Sequence, residues 1–434
     1  MASIINRPAS TIPLNQRLYI DLSVDDMVSV SGRWNRATAQ INSYALDSLP
    51  QSWHKEYQRV NLYVDTSINV NVGERLVVRS YLNPVQSTSS SFIRLISARG
   101  LTHNIFVGSD RNLLSRSDDM PWWFGLSSRM NRCALETIDR LDVDSAGLCL
   151  AKAMTLGSKA SMSTSLKDAY ARTGTAHLLA VSGLHAGFVF AVLMLLFWWM
   201  PILPFGHVYK SLLVIAGLWG FAMVAGMSAS IVRATIMLSL FQVALAFSRE
   251  VDRYNVLAAA AVVMLVVNPM WLYDISFQLS FMAVLSILFF LPRLLKVVRF
   301  KNKALRYLWS LFMVGLAAQI GVLPLLCFSF GVLSVAGLFI TPLLLIFSFT
   351  IVSTTLLWLC LPLSFIEPLC SWLISFASNI QNKIVICAAQ WSLASFDVRF
   401  TGADVLVYYG VLIMVMTIIK YVEYRKILKG IYDD

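Results

Sequence analysis

The chain has 434 residues, of which 57% are hydrophobic and 14% charged, against about 25% charged in an average soluble domain. That balance excludes an ordinary water-soluble enzyme and marks a polytopic membrane protein. The formal net charge of +11 suits anionic lipid or nucleic acid as a partner, although basic cytoplasmic loops account for part of it.

Met1–Pro13 lacks the apolar core of a signal peptide, and no spanning segment precedes residue 176. Residues about 16–108 read as a small β-domain. Arg59–Asp65 (RVNLYVD) alternates with strand period, and Arg75–Tyr81 (RLVVRSY) follows a turn at Gly73. Asn83-Pro84 and a serine run form a loop before Phe92–Ala98 resumes. Several short strands in under about 100 residues suggest a small barrel of the OB type.

Character changes after residue 109. Met120–Phe124 (MPWWF) is an aromatic cluster of the kind found at lipid headgroups. Helical spacing with charges on one side over 131–141 reads as an interfacial or connecting helix, and 148–158 and 165–172 read as short helices, too short and polar to span. Nine apolar spans come next, at about 186–203, 211–227, 229–247, 255–268, 275–291, 308–328, 331–350, 368–389 and 405–421. The stretch 331–361 reads as one broken helix or two pieces. The divisions are therefore a β-domain at 1–110, interfacial or amphipathic helices and an entrance motif at 111–185, a transmembrane domain at 186–425 and a tail at 426–434. Basic residues fill three loops: Arg249 and Arg253, then Arg293 to Arg306, then Arg425 to Lys429. The positive-inside rule puts all three in the cytoplasm, and counting spans back from each puts the β-domain outside. A domain outside with nothing upstream to start its translocation leads to the expectation that N-terminal membrane helices are missing from this chain.

Polar groups cluster where the spans begin. His177–Gly187 reads HLLAVSGLHAG and holds two of the chain's five histidines. His177 and His185 lack a third ligand nearby, and no Cys-x-x-Cys pair occurs, so no metal and no other cofactor is expected. Ser182 beside a histidine permits a hydrolase reading, but no histidine lies beyond His207 to serve on a later helix. The reading preferred here has His177, Ser182 and His185 capping helices broken at Gly183, at the mouth of a path. Arg233, four residues into the third span, must face protein, water or the outer interface, since a central arginine costs about 2.5–3.5 kcal/mol. Asp274 and Gln278 open the fifth span from the same side, and an Arg233–Asp274 pair is expected. Gln319 and Pro324 in the sixth span, and Pro342 in the seventh, predict kinked or discontinuous helices.

Five ordered stretches carry a resemblance. Arg172–Gly187 (RTGTAHLLAVSGLHAG), Gly226–Ala234 (GMSASIVRA), Asn268–Ala283 (NPMWLYDISFQLSFMA), Gln319–Pro342 and Phe92–Leu101 (FIRLISARGL) resemble the motifs of the ComEC family of competence DNA-uptake channels. The similarity covers roughly residues 55–350. It implies an inner-membrane channel that passes single-stranded DNA into the cytoplasm during natural transformation, and no catalytic residue. Many members end in a metallo-β-lactamase-like domain, whose histidine-rich zinc cluster is absent here. Some members also hold the OB-like domain with a disulfide, yet no cysteine precedes Cys133.

The resemblance further implies a DNA-binding role for Arg59, Arg75, Arg79, Arg94 and Arg99 with Tyr57 and Tyr63. Interleaved cations and rings suit a single strand, while a barrel core with an ordinary basic surface explains the same residues. His177, Ser182, Gly183, His185, Arg233, Asp274, Gln278, Gln319, Pro324 and Pro342 would line or shape the conduit. No phosphate-binding Gly-rich loop occurs. The implied partners are therefore the lipid bilayer, a DNA receptor outside, an ATP-driven motor or helicase in the cytoplasm and a separate nuclease. The alternatives are a secondary transporter of small solutes and, less favoured, an intramembrane hydrolase.

Overall fold

Alternation along each strand puts one set of side chains inside a curled sheet. The computed structural model describes residues 12–432 apart from 14–15, 32–33, 48, 66, 69, 71–73, 85–100, 109–111, 118–121, 160–161, 248–250, 268, 299 and 392–393. Strands β1 (Arg17–Ser31), β2 (Trp34–Leu46), β3 (Leu49–Asp65), β4 (Arg75–Tyr81), β5 (Asn83–Pro84), β6 (Leu101–Val107) and β7 (Leu113–Ser117) lie in the order β5-β6-β3-β2-β1-β4-β7. All neighbours are antiparallel except β3 and β6. Leu18, Ile20 and Leu22, Val60, Leu62 and Val64, Leu76 and Val78, and Ile105 and Val107 fill the interior. Register shifts in the β1–β2 ladder tighten the curl. The Ser80 hydroxyl donates to the Phe106 carbonyl at 2.8 Å, joining β4 to β6 across the opening. The result is an OB-like half-barrel. It reaches Ser117, beyond residue 110, because β7 pairs with β4 as an edge strand whose LLSRS sequence lacks an alternating signal.

Three helices lead into the membrane part: α1 (Trp122–Ile138), α2 (Ser145–Leu156) and α3 (Thr164–Arg172). The short helix expected near 148–158 is α2, which is buried over most of its length and packs among later helices. Its small residues allow this, since a Cβ on Gly147 would collide with Ser378. Nine further helices follow among the described residues, where the apolar runs predict them: α4 (Gly183–Leu196), α5 (Gly206–Val224), α6 (Ala229–Phe247), α7 (Arg253–Val267), α8 (Ile275–Val297), α9 (Lys303–Ser329), α10 (Ala336–Cys360), α11 (Glu367–Ala389) and α12 (Gly402–Tyr432).

Six of these are long and apolar enough to cross a bilayer: α5, α6, α8, α9, α10 and α12. Helices α4 and α7 are shorter, and α11 carries Ser371, Ser375, Ser378, Asn379, Gln381, Asn382 and Lys383. The chain is a multi-pass membrane protein. Helix α10 is one continuous helix with Pro342 inside it, which answers the question left by 331–361. Three apolar clusters hold the helices: α1–α3 with α10 and α11, α4–α6, and α8 and α9 with α12.

Candidate functional site

The motif loop is built from its own hydroxyls and anchored from afar. Tyr170, fully buried at the end of α3, donates to Asn382 Oδ1 on α11 at 3.1 Å. The Thr173 hydroxyl donates to the Ala169 carbonyl at 2.9 Å and lies 2.8 Å from the Thr175 hydroxyl. Gly174 has φ +69°, and a Cβ there would sit 2.4 Å from Ser334 Cβ. Both conformation and contact require glycine. Ser334 belongs to β8 (Val332–Ser334), which pairs with β9 (Ser395–Asp397) in a ribbon linking the α9–α10 and α11–α12 connections. The loop therefore rests on the ends of later helices.

His177 lies in a single 3₁₀ turn (Ala176–Leu179), and its Nδ1–H donates to the Gly174 carbonyl at 3.0 Å. Ser182 then caps α4. The Ser182 backbone N–H donates to His185 Nδ1 at 3.1 Å, and the Ser182 hydroxyl lies 3.0 Å from the same nitrogen. An N–H pointing at Nδ1 requires a lone pair there, so the ring proton sits on Nε2. His185 is fully buried, and its Nε2 has no hydrogen-bond partner among the described residues. Its ring meets Phe188 edge-on, and Phe188 meets Phe349 of α10.

Helix α6 starts beside this cap: a Cβ on Gly183 would touch Ala234 Cβ at 3.4 Å. The preceding turn is tight, with Gly226 at φ +78° and Met227 at φ +52°. Helix α1 completes it, with Ser127 donating to the Met223 carbonyl and Asn131 to the Val224 carbonyl, both at 2.7 Å. Arg233 is 6% exposed, and its Nε has no partner among the described residues. The expected Arg233–Asp274 ion pair is not made. Asp274 lies close enough to act on Arg233 through space, but its Oδ1 accepts the Ser276 N–H at 2.8 Å and caps α8. Gln278, one turn into α8, donates to the Leu272 carbonyl at 2.9 Å.

The prolines sit in continuous helices rather than at breaks. Pro324 leaves the Ile320 carbonyl without its helical donor. The Tyr408 hydroxyl of α12 donates there at 2.9 Å, and Tyr409 donates to the Gly321 carbonyl at 2.9 Å. Gln319 is half-buried on α9, and Pro342 is buried in α10. Neither tyrosine is signalled by its own sequence surroundings.

In the barrel, Arg75 grips Asp21 with two hydrogen bonds of 2.9 and 2.7 Å, and Ser43 adds a third to that carboxylate. Arg79 grips Asp47 at 2.8 and 2.7 Å and holds its carboxyl below the usual carboxylate range. These two arginines are structural partners, half-exposed at most. Arg59 is exposed on β3, and Tyr63 stacks on Phe106 of β6. Arg94, Arg99 and the Tyr57 side chain lie outside the described residues. Among the described residues no three His, Cys, Asp or Glu side chains gather to hold a metal.

A family model described as Competence protein matches residues 154–422, which include the motif loop, Arg233, Asp274 and both prolines. The chain belongs to the ComEC competence family. This ComEC-family chain is 31% identical over 195 residues to ComE operon protein 3 of Bacillus subtilis (strain 168), covering 45% of the chain and 24% of that protein. It is 32% identical over 197 residues to an uncharacterized protein of Aquifex aeolicus (strain VF5), covering 45% of the chain and 43% of that protein. No solved structure matches it.

Proposed function

We propose that the chain forms the conduit through which single-stranded DNA enters the cytoplasm across the bacterial inner membrane during natural transformation. The observation that carries this reading is the competence-family match over 154–422, which spans the motif loop, Arg233, Asp274 and both prolines. The OB-like barrel lies outside and receives the strand, and the C-terminus lies in the cytoplasm.

Basic loops support that orientation, and the contacts between helices support opposite sides for the motif loop and the C-terminus. The starts of α4, α6 and α8 neighbour one another, while Arg293 near the end of α8 grips Glu423 near the end of α12. Alternating spans require that arrangement. No catalytic step is assigned to the chain. A receptor outside, an ATP-driven motor inside and a nuclease for the other strand remain tasks for other proteins.

The Ser182–His185 contact favours a hydrolase as a second reading. Against it, His185 Nδ1 already accepts a backbone N–H as part of the helix cap, so its lone pair is shared.

The test follows labelled duplex DNA in competent cells. Deleting the gene should leave surface binding intact and abolish the nuclease-protected strand inside, and His185→Ala at normal membrane level should do the same. Protected strand at wild-type level in the deletion would overturn the proposal. Loss in Ser182→Ala with retention in Ser182→Cys would favour the hydrolase.

A further inference from the structure

Helices α8, α9 and α12 pack together through Phe289 and Phe290, Ala317 and Ile419, and basic side chains gather at one end of that packing. There Arg293 of α8 grips Glu423 of α12 with hydrogen bonds of 2.9 and 2.7 Å. The same guanidinium lies over the Phe289 ring, 3.9 Å from its centroid. Around this clip stand Lys296 of α8, Lys301 in the connection to α9, Lys303 and Arg306 in the first turn of α9, and Lys420 and Arg425 of α12. All six are exposed, and none makes an ion pair among the described residues. Lys296 and Lys420 both act on Glu423 through space, which puts them beside the clip. Cations outnumber the carboxylate there, and an excess of like charge attracts an anion.

Apolar and aromatic side chains are interleaved with those cations. Val297, Leu305 and Val422 are exposed among them, and so are Tyr307, Tyr421 and Tyr424. Tyrosine with lysine or arginine at the end of an apolar span is the chemistry of a lipid headgroup: stems and rings lie toward the acyl chains, and the charge lies toward phosphate. Helix α12 buries almost none of its apolar span against the described residues. Its flank is therefore open to lipid tails up to the level of the basic patch.

We infer that this end of α8, α9 and α12 binds an anionic phospholipid, with its headgroup among Lys296, Lys303, Arg306 and Lys420 and its tails along α12. Basic surfaces between spanning helices are where such headgroups dock. Bound there, the lipid ties α12, which has little buried surface of its own, to α8 and α9. This role is separate from strand passage and depends only on the membrane setting. A strand leaving the conduit would meet the same charges. The aliphatic side chains of Val297, Leu305 and Val422 offer a strand nothing, however, whereas acyl chains pack on them.

The experiment titrates the full chain in neutral detergent with phosphatidylglycerol, and with phosphatidylcholine as the zwitterionic control, and reads bound lipid by native mass spectrometry. Wild type should prefer phosphatidylglycerol and melt at a higher temperature in its presence. The double variants Lys296→Gln/Lys420→Gln and Lys303→Gln/Arg306→Gln should each lower that affinity by about tenfold or more, since each basic side chain at a membrane surface adds roughly fivefold. Both should melt as wild type does in phosphatidylcholine, and the rise with phosphatidylglycerol should shrink. Lys383→Gln, at an exposed lysine on α11, should bind as wild type. Equal affinity for the two lipids, wild-type binding in both double variants, or the same loss in Lys383→Gln would overturn the inference. An oligothymidylate that displaces phosphatidylglycerol and loses its own hold in the same double variants would also overturn it, because the patch would then belong to the strand. Failure of lipid binding leaves the uptake reading untouched, since the nuclease-protected strand in cells judges that reading by itself.

Discussion

In the barrel, Arg75 and Arg79 each meet a carboxylate through two short hydrogen bonds, and their charges are neutralised where they stand. In the helical part, Arg233 is more deeply buried than either, yet it makes no ion pair among the described residues, and the nearby Asp274 caps a helix instead. A pair closed on itself stiffens a fold and leaves little for a ligand. A buried guanidinium with unfilled donors is costly unless water or an anion visits it. The contrast assigns structural work to the barrel's arginines and leaves the one in α6 with a buried Nε that no partner among the described residues fills.

The largest expected effect is at Arg233. Arg233→Ala should lower transformation by about tenfold to a hundredfold, the worth of a charged hydrogen bond, at a normal level in the membrane, and Arg233→Lys should recover part of it. Wild-type transformation in Arg233→Ala would remove this residue from the conduit and break the contrast.

Asp21→Ala should act on stability instead. It leaves the Arg75 guanidinium and the Ser43 hydroxyl without their acceptor, a loss of about 2–3 kcal/mol. The barrel's melting transition, followed by β-sheet circular dichroism, should fall on the order of 10 °C. Uptake well below the new midpoint should persist. An unchanged midpoint would show that the pair contributes nothing.

The smallest effect sharpens the comparison through pH. Arg79 lowers the Asp47 pKa in the folded barrel, so the folded state binds fewer protons there than the unfolded chain does. The stabilisation is fully present above the unfolded carboxyl pKa of about 3.9 and is lost as pH falls through the folded value. Solvent screens this exposed pair, so the acid side of the stability profile should steepen only slightly. Asp47→Asn should remove that contribution, and an identical acid limb in wild type and variant would count against it.

Much of the fold is legible in the residues. Valine and leucine alternation in RVNLYVD marks β3, and long, predominantly apolar runs mark α5, α6 and α8–α10. The exceptions have physical reasons. LLSRS lacks alternation because β7 is an edge strand. Helix α2 looks surface-bound because it is short, yet its small residues let α10 and α11 close around it. Pro324 signals a freed carbonyl but not that Tyr408, 88 positions beyond that Ile320 carbonyl, satisfies it. The motif loop is equally divided: Ser182 and His185 announce a helix cap, whereas the Tyr170–Asn382 anchor joins residues 212 apart.

Local order alone therefore determined most of the helices and the alternating strands, how many apolar runs there are, and where polar groups interrupt them. Periodicity is a property of neighbours in sequence, and burial of one face follows from it. Tertiary structure decided which arginines are neutralised, which rings leave the core for the outer face, and why Asp274 does not reach Arg233. Each of those depends on a partner brought close by folding, and no pattern within a single segment encodes that distance.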